Sequence, residues 1–339
     1  MSLEFSFNNI NHEYTSDKFT DQYYSHLTKD ELLKLSSFQL LSFYLTIERY
    51  RGVQSWWKPF LDMLPTMSDF QLTPMTWNNQ ELVKQLPIST QLMNEEITSR
   101  FEKDYKVISD ELGILNREDV LLSWLCINSR CLYMKLSTSH NSSDNFTMVP
   151  FVDFINHSDE DHCKLKIDFK GFKIITTCEY TLNSQIYLNY GPHNNDFLLC
   201  EYGFMINDNK WNDLDISNYI MDYLKPKQIE YLKQIDYFDF YTLTNSILSF
   251  RTEVVLAVIQ ESNPEESKKL ESFINGYTDG VIYQRLSKHL LKKILEEVIF
   301  EYEKNQHLQF DSAPRKKVIG DLYRNRNDIA KSYIQEYLS

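Results

Sequence analysis

The chain has 339 residues, 42% hydrophobic and 14% aromatic, enough for two or three domains with sizeable cores. Its net charge of −13 excludes nucleic-acid binding through a basic face and suits a basic protein partner. None of the five cysteines, Cys126, Cys131, Cys163, Cys178 and Cys200, forms a CxxC pair, which excludes a zinc ribbon and a thioredoxin-type motif and reads as reduced intracellular thiols.

In chain order, the opening stretch MSLEFSFNNINHEY lacks the basic-then-apolar order of a signal peptide, and no later apolar run reaches membrane-spanning length. A soluble protein of the cytoplasm or nucleus is expected, with no membrane contact. Residues 31–50 carry a broad apolar face at helical spacing, closed by Gly52, and Pro65 ends the next segment. Trp56 and Trp57 are expected to pack between helices. Ile97, Phe101, Tyr105, Ile108 and Leu112 predict a helix over 95–112, and Leu121, Trp124, Asn128 and Leu132 another over 117–135. After Ser143 the period changes. KLKIDFKGFKIITTC alternates and turns at Lys170-Gly171, which predicts a β-hairpin, and QIYLNY is a further short strand. NNDFLLCEYGF reads as a one-to-two-turn helix capped by Asn194 or Asn195. From about residue 215 the pattern is helical again, with Ile282, Leu286, Leu290, Ile294 and Val298 four apart and Leu243, Ile247, Val254 and Val258 behaving similarly. The basic cluster Arg315, Lys316, Lys317, Arg324 and Arg326 reads as a solvated helix face.

One stretch, FVDFINHSDEDHC at 151–163, gathers Asp153, His157, Asp159, Asp161, His162 and Cys163 around Asn156. By residue type it looks like a metal site. Metal ligands must converge on one point, however, and this run shows no such convergence, so no metal and no stoichiometric zinc are expected. Asp159 and Asp161 are most simply a solvated turn.

The segment VPFVDFINHS at 149–158 is followed, across the hairpin alone, by IYLNYGPHNNDFLLCEYGF at 186–204. Together they resemble the SET-domain protein lysine methyltransferases, in the branch typified by the Rubisco large-subunit methyltransferase and the fungal ribosomal-lysine methyltransferases. LLSWLCINSRCL resembles that family's helix ending in a Ser-Arg pair, and FYLTIERYRGVQSWWKPFLDMLP its helical insert. The C-terminal helices resemble its substrate-binding domain, and the resemblance covers roughly residues 31–330.

The resemblance implies an α+β fold, with a small β-rich SET core containing a pseudoknot, a helical insert before it and an all-helical C-terminal domain. The expected segments are 1–30 (a remnant or replacement of the first SET strands), 31–116 (the insert), 117–210 (the catalytic core) and 211–339 (the substrate-binding domain). It also implies S-adenosyl-L-methionine as methyl donor and a lysine of a basic ribosomal or translation-associated protein as acceptor, in a monomeric enzyme. Tyr190 matches the catalytic tyrosine, whose hydroxyl positions the lysine amine and the methyl. Asn156 is expected to bond the cofactor with its amide, which offers both donor and acceptor, while the backbone of His157 meets the adenine edge and Arg130 approaches the cofactor. Tyr202 matches the aromatic lining of the lysine channel, and Ser129 offers a backbone carbonyl near the methyl. Asp153 is expected to brace the loop by accepting backbone N–H groups. The family's N-terminal Gly-x-Gly signature is not found among the eight glycines of this sequence. That departure leaves open an alternative, a non-catalytic SET-derived protein-binding module. A second departure places Asn183 where relatives carry glycine before the last strand, and asparagine tolerates the left-handed conformation that turn needs.

Overall fold

A computed structural model of the chain describes residues 34–113, 115–133, 146–160, 162–168, 171–310 and 313–338. The Gly-x-Gly question falls within residues 1–30, outside the described residues. The chain divides into two compact units, one of Met1–Trp77, Met93–His193 and Phe197–Phe204, the other of Asn78–Leu92, Asn194–Asp196 and Met205–Ser339.

The first unit is organised by three helices. Helix α1 (Ser37–Arg51) starts at a capping box, in which the Ser36 side chain accepts from the Gln39 backbone and the Gln39 side chain from Ser36. It stops at Gly52, whose φ of 54° suits glycine. Helix α2 spans Ile88–Leu112, and helix α3 spans Arg117–Arg130 with Asn116 capping its first turn. Leu40, Phe43, Tyr44 and Ile47 of α1 join Ile97, Phe101 and Ile108 of α2 and Val120, Trp124 and Ile127 of α3 in one buried cluster. Inside it, Asp104 accepts hydrogen bonds from the Trp124 indole and the Gln39 amide, both at 2.8 Å, so these buried donors are satisfied. Of the Trp pair, Trp57 packs against this cluster, but Trp56 is 72% exposed and packs between no helices.

Small β elements follow. The helix expected over 117–135 ends at Arg130. The chain extends at Cys131 (φ −75°, ψ 144°) into β1 (Cys131–Tyr133), antiparallel to β2 (Phe146–Met148). Strand β3 is Asn156–His157. The hairpin is β4 (Cys163–Asp168) with β5 (Gly171–Thr176), and its register pairs Asp168 with Gly171. Of the expected Lys170-Gly171 turn, Lys170 lies outside the described residues. QIYLNY contributes only Tyr187–Leu188 as β6. At the start of the helical segment at 195–202, the Asn194 side chain donates to Asp213, and the Asn195 side chain donates to the Ile206 carbonyl and accepts from the Ile206 N–H.

The second unit is mainly helical, with α4 (Phe250–Val258), α5 (Val281–Asn305) and α6 (Pro314–Tyr337) around Val254, Val258, Ile294, Leu295, Val298 and Ala330. It is not all-helical. Leu214–Asp215 (β7) pairs with Thr242–Leu243 (β8), so Leu243 belongs to a strand and Ile247 to an exposed turn. Arg326 is no solvated residue either. It is buried, with its guanidinium 2.6 Å from the Asp196 carboxylate and 2.7 Å from the Ser89 hydroxyl. No helix among the described residues is long and apolar enough to cross a membrane.

Candidate functional site

The last turn of α3 delivers Ser129 and Arg130. The Ser129 hydroxyl bonds back to the Leu125 carbonyl at 2.8 Å, which leaves its function, if any, to the backbone. Arg130 Nη1 donates to the Asp153 backbone carbonyl at 2.6 Å and stands 3.7 Å from the Asp153 carboxylate. The Asp153 side chain is fully buried, and neither of its oxygens accepts a hydrogen bond of good geometry. Weaker contacts from the backbone N–H groups of Asp153 and Phe151 favour its charged form, in the sense of the expected bracing, and Arg130 adds a counter-charge beside it. Burial raises its pKa to about 6, with Arg130 opposing.

That shift carries a sign. The unfolded chain loses this proton near the ordinary aspartate value, while the folded one holds it to about pH 6. Stability is fully present below the unfolded pKa and falls as pH rises through the folded one, by an amount on the order of 3 kcal/mol. Urea midpoints compared at pH 4 and pH 8 should show this fall in the native protein and lose most of it in Asp153→Asn.

Strands β3 and β6 run parallel, with Asn156 opposite Tyr187 and His157 opposite Leu188. The Ser158 N–H donates to the Leu188 carbonyl at 3.2 Å, and the Tyr190 N–H to His157 Nδ1 at 3.0 Å. The Tyr190 hydroxyl in turn donates to the Ile155 carbonyl at 2.7 Å. The Asn-His segment and the Tyr-Gly segment are thus held together from both sides, as an Asn-His pair straight after an apolar run requires. Burial lowers the His157 pKa, opposed by a contact with the Leu188 backbone, and Nδ1 serves as acceptor. The Asn156 side chain is exposed and makes no hydrogen bond among the described residues.

Beyond Tyr190, the Gly191 N–H donates to the Asn189 side chain at 2.9 Å in a tight turn. Gly191 has φ 138°, and a Cβ there would lie 2.6 Å from His193 Nε2. Tyr202 ends a π-helical turn, Leu198–Tyr202, which closes at Gly203 (φ 80°) against Thr73. Sequence reasoning missed what anchors this turn. Asn128 on α3 donates to the Glu201 carbonyl at 3.1 Å and to its carboxylate at 2.6 Å, and Arg100 donates to the same carboxylate at 2.8 Å. The one available signal was a polar residue, Asn128, at an apolar position of a helical repeat. Phe204 was also missed. Rings of His157 and Tyr190 are 5.1 Å apart, those of Tyr190 and Tyr202 5.2 Å, and Phe204 stands about 6 Å from both His157 and Tyr202. Burial raises the Tyr190 hydroxyl and pushes Tyr202 up to about 12, so both stay protonated.

A cavity of about 250 Å³ is lined by Ser129, Arg130, Asp153, Leu188, Tyr190 and Tyr202. It brings together five of the seven candidate residues. Asn156 and His157 lie on the adjoining strand rather than in its wall. Among the described residues no three His, Cys, Asp or Glu side chains converge as metal ligands, and Asp161 lies outside them.

Comparison with known proteins bears on this geometry. Residues 5–191 match the SET domain family, and residues 212–336 match the family described as ribosomal lysine N-methyltransferase 2 C-terminal domain. The chain is 32% identical to ribosomal lysine N-methyltransferase 2 of Saccharomyces cerevisiae, over 83% of this chain and 69% of that one. It is 29% identical to ribosomal lysine N-methyltransferase set11 of Schizosaccharomyces pombe, over 80% and 71%. Among solved structures it is similar in fold to the SET domain of LSMT bound to lysine and AdoHcy, with a TM-score of 0.60 at 14% identity over 94% of this chain and 78% of that one. A structure of Rubisco LSMT bound to AdoMet gives the same TM-score at 16% identity, with the same coverage.

Proposed function

The chain belongs to the SET-domain methyltransferase family, in the ribosomal lysine N-methyltransferase branch, and from that premise we propose that it transfers a methyl group from S-adenosylmethionine to the side-chain amine of a lysine in a ribosomal protein. A ribosomal substrate puts the reaction in the cytoplasm or nucleus, and the chain's net charge of −13 suits a basic substrate.

The residues present fit that donor. Among the described residues the Asn156 amide has both a donor and an acceptor unclaimed, and the buried Arg130 Nε has no hydrogen-bond partner. Asn156 and Arg130 would hold it, Arg130 through its charge. When bound, S-adenosylmethionine supplies an electrophilic methyl on a sulfonium centre.

The rest falls to the protein. The rings of Tyr190, Tyr202 and Phe204 make an apolar wall, and desolvation there favours the neutral, nucleophilic form of an entering lysine. The Tyr190 hydroxyl spends its own proton on the Ile155 carbonyl, so its oxygen lone pairs are left to accept an amine N–H and aim the nitrogen. His157 Nδ1 holds the backbone of Tyr190 in place for that task. The hydrogen-bonded junction of Tyr190 with both Ile155 and His157 carries the proposal, since it ties the catalytic hydroxyl to the strand that bears Asn156.

Calorimetric titration of the purified chain with S-adenosylmethionine, followed by radiolabelled transfer to ribosomal proteins, tests it. Micromolar binding and labelling of a ribosomal protein are expected. No binding at millimolar concentration would leave the non-catalytic module. In the same titration Asn156→Ala should weaken binding by about 1 kcal/mol, roughly fivefold, by removing one amide's hydrogen bonds. Unchanged affinity would move the cofactor away from Asn156.

A further inference from the structure

Methyl transfer makes no use of the acid-rich end of the 151–163 stretch, and there the structure builds a second constellation. Glu160 Oε2 stands 3.0 Å from His162 Nε2, and His162 Nδ1 stands 3.4 Å from the thiol of Cys178. The fold fixes the last contact. The Thr177 N–H donates to the His162 carbonyl at 2.9 Å, which extends the β4–β5 ladder by one pair and sets Cys178 beside the imidazole. Cys178 is exposed, whereas Cys126, Cys163 and Cys200 are buried and Cys131 is half-buried. None of Glu160, His162 and Cys178 lines the cavity described above.

We propose that Glu160, His162 and Cys178 form a reactive-thiol site that takes a small-molecule disulfide and becomes a mixed disulfide. The order carboxylate, imidazole, thiol is that of an activated nucleophile, in which the acid orients the ring and the ring takes the proton. His162 Nδ1 accepts the Cys178 proton, while Glu160 holds the opposite nitrogen. The Cys178 thiolate attacks one sulfur of R–S–S–R. That S–S bond breaks, a Cys178–S–S–R bond forms, and the departing R–S⁻ takes up the proton held on His162.

An internal bridge is not the product. Cys163 pairs with Thr176 across the ladder, two residues short of Cys178. Diagonal neighbours of that kind lie about 7–8 Å apart, against roughly 4 Å between the β-carbons of a disulfide. The Cys163 sulfur is instead buried, 3.9 Å from the Tyr180 hydroxyl.

The test uses the intact chain with oxidised glutathione as probe and peptide mass spectrometry to follow each cysteine. Exposure alone would make Cys178 react first, so the decisive readout is its dependence on the relay. His162→Gln should slow adduct formation at Cys178 by about tenfold or more while leaving half-buried Cys131 unchanged. An equal rate at Cys178 in the wild type and in His162→Gln overturns the proposal. Should His162→Gln open the hairpin, buried Cys163 will label faster, and Glu160→Gln then decides. The Glu160 side chain is exposed, so this change leaves the packing intact. A slower Cys178 in that variant supports the relay, and an unchanged one overturns it.

Discussion

Tyr190→Phe is expected to lower the rate of methyl transfer by about 10²-fold or more, the scale on which misplacing a reacting atom by about 1 Å costs rate. Only an oxygen is removed. The ring keeps its place between His157 and Tyr202, and the backbone N–H keeps its bond to His157 Nδ1, so neither the strand pairing nor the aromatic wall is disturbed. The Ile155 carbonyl loses its donor, at a cost of about 1 kcal/mol in stability. Single-turnover assays with radiolabelled cofactor, paired with calorimetric cofactor binding, separate these effects. Affinity should stay within about twofold of wild type because each binding contact is unchanged. Retained turnover would remove the hydroxyl from the mechanism.

Gly191→Ala should damage the site by a different route. At φ 138° the backbone occupies a region that a side chain makes costly, by about 1–3 kcal/mol. The added Cβ would also stand 2.6 Å from His193 Nε2. That ring cannot yield freely, because it is stacked on Phe197 with centroids 4.1 Å apart. A further 1–3 kcal/mol of overpacking, roughly, is expected. The strain falls on the residue after Tyr190, so transfer should fall with stability rather than independently of it. A cycle with His193→Ala divides the two contributions: the double variant should recover the overpacking part and keep the backbone part. Full recovery, or none, would refute that division.

How much of this was legible beforehand depends on the range of the interactions. The hairpin was readable because Leu165, Ile167 and their partners alternate locally. Helices α1 to α3 were readable from apolar spacing, although Cys131–Tyr133 left the helix for a strand. Helical and extended states share apolar residues, and pairing with Phe146–Met148 decided between them. Leu243 went astray for the same reason, recruited into a strand by Leu214. The motif resemblance marked Asn156, His157 and Tyr190, and the structure joins them directly. It could not mark the clamp of Arg100, Asn128 and Glu201, because these residues meet only through tertiary packing and none sits in a recognisable pattern. Nor could it mark the pairing of Asp153 with Arg130, which depends on burial that no local spacing encodes.

The parallel joint of β3 and β6 is only two residues on each side, while the three helices beneath it share a continuous apolar cluster. Cooperative strength is therefore unevenly distributed within this unit. The amides of Ser158 and Tyr190 rest on single hydrogen bonds across that joint, whereas those of Trp124 and Ile127 open only when the helical core does. Hydrogen exchange in heavy water should reach the first pair orders of magnitude sooner. The joint can thus open locally while the helical scaffold stays folded, far below the global unfolding barrier.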